Sequence, residues 1–158
     1  MIEQRDYLLS QAAEAVGVSL NTLRAWVQRG HIRLTERPMN GLARPVSSED
    51  VKRIAIMAAL VGEGVPAQTA WSATRAFLDF APGPLGGEQA RNPGDLFPEG
   101  ETVLVAYADD PQGYVFSVRK PEDWQRVRYP IGLSTNRKSA GKFVVVNDVL
   151  RALRARLA

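Results

Sequence analysis

The chain of 158 residues has no cysteine and a single histidine. The first absence excludes disulfides, thiolate metal sites and cysteine nucleophiles together, and the second leaves little for zinc binding or general-base chemistry. No catalytic residue, metal site or cofactor motif stands out, so we expect neither an enzyme nor a cofactor. The sequence does not open with a basic start followed by an apolar run, and its apolar stretches fall well short of the roughly 20 residues that span a bilayer. The expectation is a cytoplasmic protein without membrane contact. A strong excess of one charge is also missing, because the net charge of +3 is one that many soluble proteins carry.

The composition, 45% hydrophobic and 23% charged, suits one domain or two small ones. The charge is unevenly spread. Between Ser19 and Val46 stand Arg24, Arg29, Arg33, Arg37 and Arg44, with Glu36 the only acid, whereas the flanks carry Glu3, Asp6, Glu14, Glu49, Asp50 and Glu63.

Local signals order the first 80 residues as helices around one interruption. Ser10 reads as an N-cap for "QAAEAV"; Gly17 can end that helix in the left-handed conformation, and Ser19 is a second N-cap opening "LNTLRAWVQR" before Gly30. The result is helix, tight turn, helix. Ile32 and Leu34 alternate with polar residues, "PMNG" has turn chemistry, and Ala43 to Val46 can return, which predicts a small hairpin. Ser47 with Asp50 reads as a capping box for a helix with Val51, Ile54, Ala58 and Val61 on one face and Ile56, Met57 and Leu60 on another. Pro66 suits the first turn of a further helix, "PAQTAWSATRAFLDF".

Residues 81–101 are rich in proline and glycine and read as a linker between residues 1–80 and a module at 102–158. In that module "TVLVAYA" and "YVFSVRK" flank a turn at "DDPQG", a third strand is expected near Gln125 to Ile131, and "GKFVVV" leads into a helix capped by Asn147 or Asp148. Val149, Leu150, Leu153 and Leu157 should face inward, with Arg151, Arg154 and Arg156 outward. The loop "GLSTNRKSAGK" lacks the phosphate-loop order and reads as a basic surface loop. So small a module suggests dimerisation or partner binding before ligand binding. The expected fold class is α+β: a winged helix-turn-helix of about four helices with a β-hairpin wing, then a β-rich unit with a terminal helix.

At about 100° per residue, the helix at 20–29 puts Leu20, Leu23 and Val27 on one face. Asn21, Thr22, Ala25, Gln28 and Arg29 lie on the other, with Arg24 at the margin. These are side chains suited to base edges: Asn and Gln pair with adenine, Arg with guanine, and an alanine methyl meets thymine, while the helix start at Ser19 can meet a phosphate. Trp26 reads as a packing residue. With Arg37, Asn40 and Arg44 of the hairpin, Ser19, Asn21, Thr22, Arg24, Ala25, Gln28 and Arg29 are the candidate contacts to double-stranded DNA.

The stretches "YLLSQAAEAVGVSLNTLRAW", "VQRGHI", "NGLARPVSSEDVKRI" and "GEGVPAQTA" resemble, in order, the opening helices, helix exit, wing with third helix, and fourth-helix entry of MerR-type winged helix-turn-helix regulators. The resemblance implies that Ser19, Thr22 and Arg24 touch DNA from the second helix and Arg44 from the wing. The chain departs from that family after residue 80, where Pro82, Gly83 and Pro84 replace the usual long dimerisation helix, and the cysteines of metal-sensing members are absent. The leading expectation is a sequence-specific regulator bound as a homodimer, with a possible protein partner at the C-terminal module. A DNA architectural or recombination accessory of excisionase type, a small phage packaging protein, and a protein-interaction module of antitoxin type stay open beside it.

Overall fold

A computed structural model describes residues 6–35, 45–81, 90–107, 110–128 and 141–158. A short strand β1 (Asp6–Tyr7) leads into α1 (Leu9–Val16), a tight turn, and α2 (Leu20–Gln28). Helix α1 starts earlier than the sequence suggests. Its N-cap is Leu8, because the Gln11 side chain accepts the Leu8 N–H at 2.8 Å, half of a capping box, and Ser10 falls inside the first turn. The helix ends as expected at Gly17, whose φ of 82° is open to glycine at little cost. Val18 N–H then reaches Ala13 O at 3.1 Å and Gly17 N–H reaches Glu14 O at 3.1 Å, the two bonds of a Schellman motif. Ser19 caps α2 by accepting the Thr22 N–H at 3.0 Å, and α2 closes the same way at Gly30, with His31 N–H on Trp26 O at 2.9 Å.

Strand β2 (Val46–Ser47) pairs antiparallel with β1, Val46 opposite Tyr7. This alters the expected hairpin. Its first arm at Ile32 to Leu34 is not a strand: Ile32 is buried and its N–H is spent on Trp26 O at 3.3 Å, which ties this segment to the end of α2. Residues 36–44, with the turn, the Ala43 arm and the candidates Arg37, Asn40 and Arg44, lie outside the described residues.

Helix α3 (Ser48–Gly62) has the anticipated capping box: Ser47 Oγ accepts the Asp50 N–H at 3.1 Å and donates to Asp50 Oδ2 at 2.8 Å. Val51, Ile54, Ile56, Met57 and Leu60 are all fully buried, so α3 is covered on several sides, by elements of its own chain. The helix expected from Pro66 divides into α4 (Ala67–Ala73) and α5 (Arg75–Leu78). Thr74 sits at the break, fully buried, its hydroxyl donating to Trp71 O at 2.6 Å and competing for a helical carbonyl.

Strands β3 (Glu101–Tyr107) and β4 (Asp110–Val118) form an antiparallel hairpin, and β5 (Lys142–Val145) adds to the free edge of β3. Residues 108 and 109 of the turn, and 129–140 with most of the basic loop, lie outside the described residues. The strand expected near Gln125 is instead a 3-10 turn (Pro121–Asp123) followed by α6 (Trp124–Arg128). Helix-start chemistry wins over alternation there, since Pro121 fits a first turn and the Asp123 carboxylate accepts the N–H groups of Arg119 at 2.9 Å and Lys120 at 3.2 Å. Those bonds hold the carboxyl below the usual carboxylate range, that from Arg119 contributing most. Helix α7 (Val146–Leu157) follows β5 with no side-chain cap. Asn147 is not that cap; its Oδ1 accepts the Thr102 N–H at 2.6 Å and pins the helix start to the central strand.

Alternation along β3 divides the sheet. Leu104 and Ala106, with Val144 of β5, join the same core as Leu23, Trp26, Ile54 and Phe77, while Leu150 and Leu153 of α7 close it. Val103, Val105 and Tyr107 turn to the opposite face with Val118 and Val127, where the rings of Trp124 and Phe143 meet at 5.1 Å. The helices and the sheet therefore share one apolar interior. Residues 82–89 of the proline- and glycine-rich stretch lie outside the described residues, but its remainder is anchored. Arg91 is buried, donates to Phe77 O and Ala76 O at 2.9 Å each, and lies over the rings of Phe77 and Phe97. Burial lowers its pKa, and the carbonyls at the α5 end accept hydrogen bonds from the guanidinium.

Candidate nucleic-acid interface

Helix α2 is held from beneath by Leu23, fully buried, and by Trp26, nearly so, with Leu20 and Val27 half-buried at the edges of the same core. Burying a leucine of this kind contributes about 2 kcal/mol, which fixes the helix more firmly than its intrinsic propensity could. Trp26 takes more of the burial than Leu20 or Val27, a larger share than its flank position suggests.

The opposite face carries the candidate contacts. Asn21, Thr22, Arg24, Gln28 and Arg29 are exposed, and Ala25 is half-buried between them. Ser19, also exposed, shares a 2.7 Å hydrogen bond with the Thr22 hydroxyl, so the two side chains form one small polar step at the helix start. The structure thus gathers seven of the ten sequence candidates on one helix and its cap. The other three fall in 36–44.

Both flanks of that stretch meet at one buried carboxylate. Thr35 donates to Asp50 through its N–H at 3.2 Å and its hydroxyl at 3.0 Å, and Ser47 donates its hydroxyl to the same group at 2.8 Å. The sequence marks Asp50 as a capping residue, but not as an anchor for Thr35, since no periodicity links residues 15 apart. A second missed residue is Arg156. It is exposed on α7, as expected, but its Nη1 also donates to Val16 O at 2.8 Å, at the turn that precedes α2. A basic residue in the last turn of a terminal helix does not name its partner, so nothing in the sequence betrays this contact.

Two short helices set at a glycine turn, the second with a polar and basic outer face, define a helix-turn-helix. Residues 7–71 match the family model described as MerR HTH family regulatory protein. The match identifies this segment as a MerR-type helix-turn-helix; it supports a DNA-binding regulator in general and implies double-stranded DNA as the partner. No curated protein matches the chain. Among the described residues no helix is long and apolar enough to cross a membrane.

Proposed function

We propose that the protein is a sequence-specific transcriptional regulator that places α2 in the major groove, with the 36–44 stretch as a wing on adjacent phosphates. The observation that carries this reading is the division of α2: Leu23 and Trp26 are buried, while Asn21, Thr22, Arg24, Gln28 and Arg29 are presented together to solvent. In this reading Asn21, Arg24, Ala25 and Gln28 meet base edges, and Ser19, Thr22 and Arg29 grip the backbone together with Arg37, Asn40 and Arg44. Residues 1–80 form the DNA-binding unit, and 102–158 supply a homodimer contact or a partner surface. A dimer would place two α2 helices on half-sites about one helical turn apart. The protein acts in the cytoplasm, on the nucleoid.

The test is an anisotropy titration over a range of salt. Arg24→Ala should relax base preference, whereas Arg44→Ala should weaken all sequences alike and lower the salt slope by about one. A uniform, sequence-independent loss for both variants removes base reading from Arg24. Bound DNA that is bent without sequence preference supports an architectural role instead, and wild-type protein without salt-sensitive affinity supports an interaction module.

A further inference from the structure

The Schellman bonds at the end of α1 satisfy the carbonyls of Ala13 and Glu14, and the next two carbonyls, of Ala15 and Val16, have no helical N–H left to take. Arg156 fills that gap from the far end of the chain: its Nη1 lies 2.8 Å from Val16 O and 3.4 Å from Ala15 O. A cation at the negative end of α1 is favoured by the helix dipole as well as by the two bonds. The guanidinium lies across Gly17, where a Cβ would collide with it. Gly17 therefore serves twice, once for its positive φ and once for the close approach of Arg156. Two residues further on, Ser19 caps α2.

We infer that Arg156 is a positioning residue for DNA binding: it fixes the turn between α1 and α2 and so holds the angle at which α2 is presented. Residues 102–158 thereby act on the recognition helix through a polar clamp in addition to the shared core. The clamp rests on the reading of α2 as the DNA-contacting helix, but its effect on the turn can be measured without DNA.

The test compares the full chain with Arg156→Ala, Arg156→Lys and Arg154→Ala, the last removing an exposed charge from the same turn of α7. Amide hydrogen exchange at Gly17 and Val18 is read in the free protein, and affinity for a short random-sequence duplex is read by anisotropy at several salt concentrations. Arg156→Ala should speed exchange at the turn and weaken binding about three- to tenfold at every salt with an unchanged salt slope. Arg156→Lys, with one donor kept, should fall between, and Arg154→Ala should leave exchange at the turn as it was. Unchanged exchange in Arg156→Ala overturns the clamp. A salt slope reduced by about one makes Arg156 a phosphate contact and also overturns the proposal. Faster exchange with wild-type affinity refutes its service to α2. If the wild type itself binds no duplex, the DNA-binding reading of α2 fails and so does the role in DNA binding, while the exchange data still judge the clamp on the turn.

Discussion

Replacing Gly17 by alanine should cost more than replacing Gly30, although both glycines end a helix at positive φ, 82° and 72°. At Gly30 nothing lies within 4 Å of an added Cβ, so only the left-handed backbone is penalised, by about 1 kcal/mol. At Gly17 the same penalty applies, and the Cβ also displaces the Arg156 guanidinium from the carbonyls of Val16 and Ala15. Hydrogen bonds from a charged donor are worth about 1.5–3 kcal/mol when buried, but Arg156 is exposed and water replaces part of the interaction, so about 1 kcal/mol is the reasonable excess. Gly17→Ala should then destabilise by roughly 2 kcal/mol and Gly30→Ala by about 1 kcal/mol. Urea unfolding with a shared m-value reads both. The cycle is completed with Arg156→Ala: in that background Gly17→Ala should fall to the cost of Gly30→Ala. Equal costs at the two glycines in the wild type, or full additivity of Gly17→Ala with Arg156→Ala, would refute the reasoning.

Other substitutions test other parts of the structure. Asp50→Ala removes the acceptor shared by Thr35 and Ser47 and should destabilise by about 2–3 kcal/mol, with faster amide exchange at Thr35 than at Leu104. Arg91→Met should cost about 2–4 kcal/mol, because the carbonyls at the end of α5 lose their donor inside a buried site; a loss under about 0.5 kcal/mol would make the contact incidental. The depressed pKa of Asp123 has a defined sign. Its bonds stabilise the turn into α6 above the unfolded carboxyl pKa of 3.8, and that contribution is lost as pH falls below this value toward the lower folded pKa. Trp124 fluorescence should therefore report local loosening in that acid window, and Asp123→Asn should show none of this pH dependence.

The parts of this fold that were legible in the sequence are those written in short-range chemistry. Gly17, Ser19 and Gly30 mark helix ends by conformational freedom and side-chain capping, and the pair Ser47 and Asp50 announces α3 in four residues. The β3–β4 hairpin follows from two apolar runs flanking a turn. What escaped was long-range or competitive. Alternation at Gln125 to Ile131 favoured a strand, but Asp123 and Pro121 started a helix first. Asn147 looked like a cap, yet Thr102 N–H claimed its carbonyl oxygen. The α2 candidates were legible because helical periodicity sorts them onto one face, whereas Arg156, 140 residues from Val16 in the chain, has no local signature.

Selection of bound fragments from a random duplex pool by the full chain tests DNA reading by α2 most directly. The expected result is one enriched motif whose preference relaxes in Arg24→Ala, with two copies spaced by about one helical turn if the protein binds as a dimer. Recovery of a pool indistinguishable from the input would contradict it.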